Sequence, residues 1–347
     1  MKRSTLWMIR ANYMLSLASG IISYCYDQKT GEIYTTPIAT IYSVLDSIGI
    51  FALVRLFFRI DMSVKFLPFK ISTSLFLLRI ISLLVTVFYN WTKRQDFVAT
   101  LNDLRSTRNH FFERWPLSEK LQEKFENTLR QKFFWGLVST IMVTMGSFES
   151  IKMHFKLENS YAILVAFALC IAFSLVMMNY FLCMAHLNVV LMAINEELKQ
   201  ILNVYSYLSR LEKSKLIGAG TLMTQCCKLS DDLDELAVIQ HRLHQLGNRI
   251  NRMYDVQGAC VFLIVYLNDV AVFYMMYPTS EKNQFLVNNF SRWNLAILPI
   301  VLITFGIDLI IFVQNKINFL ELFVETGELL REREIYAVTL DVRLEES

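Results

Sequence analysis

Hydrophobic and polar positions change rhythm within residues 229–277, and the rest of the chain is best read from that change. Leu229, Leu233, Leu236, Ile239, Leu243, Leu246, Ile250 and Met253 recur at steps of three and four, while Asp232, Glu235, Arg242 and Arg249 fall between them. That spacing predicts a helix with one apolar stripe. From Gly258 onward the stripe widens until the segment is apolar on every side, interrupted only by Asn268 and Asp269. A helix amphipathic in its first half and apolar all round in its second passes from water into lipid, or else belongs to a large soluble bundle.

The remaining apolar runs favour lipid. Residues 37–58 form a first span with one acid, Asp46, and residues 71–91 a second, carrying Arg79. Each is long enough for a hydrocarbon core of about 30 Å. A third span is expected over 133–150, continuing a helix that starts near Ser118 and follows the Trp115-Pro116 break. A fourth, over 161–185, opens an apolar run free of Asp, Glu, Lys and Arg as far as Ile194, so its helix should project past the membrane. The fifth is 258–277, ended by Pro278, and the sixth is 293–314, with Pro299 and Asp308 inside it.

Before the first span lies residues 1–36, an apolar stretch broken by Arg10 and Asn12 and then a polar turn around Gly31. A central Arg costs about 2.5–3.5 kcal/mol on insertion scales and argues against both a signal peptide and a span. An interfacial helix is the expectation. Residues 316–347 are expected to form a cytoplasmic C-terminal segment, and residues 37–315 the membrane domain with its cytoplasmic helix extensions.

Composition agrees. Of 347 residues, 54% are hydrophobic, 19% are charged, and Phe alone contributes 26; mean hydropathy is +0.38. Soluble domains carry roughly 25% charged residues. The fold class expected is all-α, a polytopic helical membrane protein. A net charge of +3 is too small to argue for nucleic acid. The six cysteines show no CxxC spacing, so neither a zinc site nor a disulfide framework is expected. His241 and His244 share a helix face, but further metal ligands do not accompany them, so a solvated or packed pair is the simpler reading. HExxH, GxSxG and phosphate-binding glycine loops are absent, and no enzyme or cofactor is expected.

Basic residues give an orientation. With six spans and a cytoplasmic N-terminus, the outside loops hold Lys65, Lys70, Lys152, Lys156 and Lys282. The inside segments hold Lys2, Arg3, Lys29, nine Lys and Arg from Lys93 to Lys132, and eight from Lys199 to Arg252. The sequon Asn289-Phe290-Ser291 then falls outside, a glycosylation candidate, whereas Asn90-Trp91-Thr92 falls at the inside edge.

Several stretches resemble insect gustatory receptors. The stripe from Leu233 to Met253 holds His241 and Ile250-Asn251 as that family does before its fifth span. Ile194-Asn195-Glu196-Glu197-Leu198 is similar to the family's segment past the fourth. Phe323-Val324-Glu325-Thr326-Gly327-Glu328-Leu329-Leu330 and Leu340-Asp341-Val342-Arg343-Leu344-Glu345 are similar to the stretch entering its last helical unit. Tyr26-Asp27 with Thr30-Gly31 is similar to the turn after its N-terminal helix. The resemblance covers nearly the whole chain through order and spacing. It implies a chemoreceptor-like bundle in the plasma membrane, a homo- or hetero-tetramer with other gustatory receptor subunits, and a cation channel gated by a small-molecule tastant. One departure stands out. The family ends in a seventh span with Thr-Tyr, five apolar residues, then Gln-Phe, and no apolar segment after Ile335 is long enough to cross a membrane. The expectation is a chain without that helix, which sets a non-conducting receptor beside the channel reading. A seven-helix G-protein-coupled receptor would need residues 6–26 to cross, and a transporter would need internal repeats.

Candidate ligand-binding residues are Asn179, Asn268, Asp269 and Tyr274, because polar groups inside spans are costly unless paired or lining water. Asp46, Arg79 and Asp308 are expected to pair between helices. The stripe Leu233, Leu236, Leu243, Leu246 and Ile250 is expected to support assembly, packing against helices of its own subunit or of a neighbour.

Overall fold

A computed structural model describes residues 2–27, 30–58, 67–154, 160–215, 218–280 and 292–332. Among them are eight helices: α1 (Arg3–Ala18), α2 (Pro37–Phe58), α3 (Leu67–Thr92), α4 (Arg94–Arg114), α5 (Glu119–His154), α6 (Ser160–Lys213), α7 (Ala219–Ser280) and α8 (Arg292–Glu332). The polar turn after α1 is a small antiparallel hairpin of β1 (Cys25–Tyr26) and β2 (Ile33–Tyr34), with Cys25 opposite Tyr34. Thr30 Oγ1 donates to Asp27 Oδ2 at 2.9 Å across its loop.

Among the described residues, four helices contain stretches long and apolar enough to cross a membrane: Pro37–Leu56, Thr73–Thr92, Phe167–Lys213 and Pro299–Arg331. The third and fifth spans expected from sequence lie in α5 and α7. Helix α6 has 54 residues and α7 has 62. At 1.5 Å per residue these run to about 80 and 90 Å, far beyond a hydrocarbon core of about 30 Å. The residues 316–332 continue α8 without a break, so the boundary expected at 315 falls inside a helix; residues 333–347 lie outside the described residues.

The chain divides into two compact units. Unit 1 comprises residues 1–101, 126–182 and 251–313; unit 2 comprises 102–125, 183–250 and 314–347.

Unit 1 is built for lipid. On α2, Ile38, Ile41, Leu45 and Ile48 are 60–79% exposed at helical spacing. Such a row of large apolar side chains marks a surface covered by something other than water. Helix α1 is turned inside out. Its Thr5, Asn12 and Ser16 are buried, while Trp7, Met14 and Leu15 face outward. The inward polar face has a reason: Asn12 Nδ2 donates to Asn179 Oδ1 at 2.7 Å, and Asn179 Nδ2 donates to Ser16 Oγ at 3.1 Å. Gly20 follows at φ +65°, and a Cβ there would collide with the Asp46 side chain, so α2 closes against the turn after α1. Asn90 of α3 then donates to the carbonyls of Gly20 and Ile21. Burial lowers the pKa of the Arg94 guanidinium, which donates to Thr40 Oγ1 at 2.6 Å and to the Ser23 carbonyl. Ile71, Leu75, Ile264 and Ala271 form a core joining α3 and α7, flanked by Phe173 and Phe305.

Unit 2 is held by the stripe of α7 and by charge. Leu229, Leu236, Ile239, Leu243, Leu246 and Ile250 are all at most 7% exposed, and Leu233 is half-buried. At Gly247 the ring of Phe319 from α8 comes so close that any Cβ would overlap it. Across the polar flank, Arg114 pairs with Asp232 and Glu235, while Arg242 and Arg249 reach Asp103 at 3.7 and 3.4 Å. Ser118 caps α5 as its position suggests, its Oγ accepting the Leu121 N–H at 3.3 Å and donating to Glu196 at 3.1 Å.

Candidate functional site

Six helices of unit 1 leave a space between them. Residues of α1, α5, α6, α7 and α8, together with Arg79 of α3, line a cavity of about 620 Å³, within the 300–1,000 Å³ typical of small-molecule sites. Its walls are mostly Leu, Val, Ile, Met and Phe. The polar groups are few: Asn12, Arg79, Lys132, Ser139, Thr140, Ser174 and Asp308.

The charged groups differ in how they are satisfied. Lys132 of α5 donates from Nζ to Asp308 Oδ1 at 2.7 Å and to the Asp308 carbonyl at 3.3 Å. The side chain of Lys132 is 5% exposed and that of Asp308 19%. The rings of Phe181 and Phe312 lie 5.7 and 5.4 Å from the ammonium, so cation–π attraction adds to the ion pair. Arg79 is 5% exposed, and its guanidinium stands 5.2 Å from the Phe76 ring. Among the described residues it has no ion pair. Thr140 joins two walls, donating to the Gly136 carbonyl at 2.7 Å and accepting from the Ser174 hydroxyl at 3.1 Å.

The candidate residues named from sequence are placed as follows. Asn179 is occupied by Asn12 and Ser16 and ties α6 to α1, outside the cavity lining. Asn268 and Asp269 are half-buried on α7, also outside the lining, and the Asn268 amide nitrogen is buried without a partner among the described residues. Tyr274 lies on α7 with its side chain outside the described residues, and Asn289 lies outside them altogether. Asp308 is paired with Lys132. Asp46 packs on Gly20 with one carboxylate oxygen lacking a partner among the described residues. Arg79 and Asp308 both line the cavity. The stripe Leu233, Leu236, Leu243, Leu246 and Ile250 is packed inside the chain's own unit 2. His241 and His244 there each bond the side chain four residues on, Gln245 and Asn248. Lys132 is the site residue that sequence placed among loop cations; its only signal was adjacency to the third span.

A family model described as 7tm chemosensory receptor matches residues 9–347. Three similar proteins of Drosophila melanogaster carry the name "Putative gustatory receptor", numbered 36b, 59d and 36c. The first is 21% identical over 98% of this chain and 85% of its own length. The second is 23% identical over 97% and 85%, and the third 23% over 98% and 86%.

Proposed function

Because the chain belongs to the 7tm chemosensory receptor family, we propose that it is a gustatory receptor that binds a small-molecule tastant in the cavity of unit 1 and gates a cation current. One observation carries the reading: an apolar cavity of about 620 Å³ lined by six helices, with a few convergent polar groups. That is the physical form of a small-molecule site. Gating would follow from differential affinity. A ligand that fits one arrangement of these helices better than another shifts the population toward it, by as much as the two affinities differ. In this reading the chain works in the plasma membrane with a cytoplasmic N-terminus, as a homo- or hetero-tetramer with other gustatory receptor subunits. Asn268 and Asp269, on α7 outside the cavity lining, remain proposed as a second polar contact point in the same unit, and Asn289 as a proposed glycan acceptor.

The test is whole-cell recording with a panel of sugars and bitter compounds, comparing the natural chain with Thr140→Trp, which fills the cavity. The expected result is a tastant-evoked cation current lost in the variant at equal surface expression. An evoked current indifferent to Thr140→Trp would move the site elsewhere. Absence of any current, with ligand binding retained, would leave a receptor that does not conduct by itself and overturn the channel reading.

A further inference from the structure

We infer that the ligand is an amphipathic carboxylate, held by its head on Arg79 with its tail along the apolar walls. The inference rests on the cavity being the ligand site and names the class that the site selects. The cavity lining carries three charges, Arg79, Lys132 and Asp308. Two of them cancel, since Lys132 donates directly to Asp308. Among the described residues Arg79 is left as the uncompensated charge of the lining.

Its surroundings do little for it. At 5% exposure it is removed from water, and among the described residues no carboxylate or carbonyl takes its hydrogen bonds. The Phe76 ring, its centroid 5.2 Å from the guanidinium carbon, offers a cation–π contact but no lone pair for the five N–H donors. A buried cation in this condition is costly, and an incoming anion removes the cost. A planar guanidinium fork matches a carboxylate through two parallel hydrogen bonds.

The walls decide the remainder of the ligand. The hydroxyl of Thr140 is spent on Gly136 and Ser174, and the Asn12 amide on Asn179. A polyol would find few free partners and would lose its hydration without replacement. An organic cation would meet a like charge. A single apolar chain or ring bearing one carboxylate leaves neither defect.

The experiment uses the full chain in phosphatidylcholine nanodiscs and radiolabelled decanoate, with 1-decanol and decyltrimethylammonium as competitors of equal tail. Decanoate should bind about tenfold or more tighter than decanol, the expected worth of a charge-assisted hydrogen bond, and the ammonium should bind weakest. Arg79→Gln should bring decanoate down to the level of decanol and leave decanol unchanged. Arg79→Lys should keep part of the preference. Thr140→Trp should abolish binding of both. Equal binding of decanoate and decanol to the natural chain overturns the inference whether or not the Arg79 variants fold, and so does a preference that survives Arg79→Gln. Binding untouched by Thr140→Trp fails the cavity itself and is thereby distinguishable. Adding phosphatidylglycerol to the discs separates the two sources of an anionic head. Displacement of decanoate that depends on Arg79 would assign the cation to a bilayer lipid and overturn the claim of a free ligand.

Discussion

A lysine with 5% of its side chain exposed stands against an aspartate inside the membrane unit, and the pair has a definite energetic consequence. Removing one member leaves the other buried without its counter-charge, which in proteins costs about 3–5 kcal/mol. Lys132→Met should therefore lower the detergent melting temperature sharply, while Lys132→Met with Asp308→Leu should recover most of it, because two apolar groups need no compensation. A double variant as unstable as the single would show that the pair is not what the helices require there. Asn179 carries a smaller load. Asn179→Ala orphans Asn12 and Ser16 on α1, and a loss of about 1–3 kcal/mol is expected, read as earlier proteolysis near residues 3–18. Sequence marked Asp308, Arg79 and Asn179 because a polar residue inside an apolar run is conspicuous. It could not mark Lys132 in the same way: one residue before the span begins, a lysine looks like any loop cation, and only the fold turns it inward.

Helix α7 shows what a periodic pattern does and does not determine. Its stripe was legible because alternating steps of three and four admit one burial face, and Leu236, Ile239, Leu243, Leu246 and Ile250 are each at most 4% exposed. The partner was not legible, since an apolar stripe is indifferent to whether a neighbouring subunit or its own chain covers it. Here unit 2 covers it, to the point where Gly247 admits the Phe319 ring. Leu243→Asp should accordingly unfold the subunit, a cost of several kcal/mol for an unpaired buried charge, so detergent chromatography should show aggregate. Intact monomers released from a larger assembly would instead place the stripe between subunits. A second link was hidden in the same manner. The stretches around Asn195 and Thr326 were separate motifs in sequence. In the fold Thr326 Oγ1 donates to Asn195 Oδ1 at 2.6 Å, and Asn195 Nδ2 donates to Glu325 Oε2 and the Leu322 carbonyl at 3.0 Å each. Local periodicity cannot reveal that residues 131 apart, Asn195 and Thr326, are hydrogen-bonded.

At the scale of the molecule, the two units present different surfaces. Unit 1 exposes a row of isoleucine and leucine on α2; unit 2 carries a ladder of ion pairs between α4 and α7. The first surface calls for a cover other than water, as lipid provides, and the second is at home in water. The segments of unit 2 hold most of the basic residues between Lys93 and Arg252, and from the rule that basic segments remain inside we propose that they face the cytosol. In that proposed orientation the sequence around Lys65, Lys152 and Lys282 falls outside. A reporter inserted between Arg210 and Lys215 should be cytosolic, and a glycosylation tag placed near Glu281 should be modified. The two sites flank α7 (62 residues), and the proposal that its apolar segment 258–277 crosses the bilayer once predicts opposite results at its two ends. Modification at the first site with none at the second would invert the orientation, place the ion-pair ladder outside the cell, and remove the proposed cytoplasmic N-terminus with it.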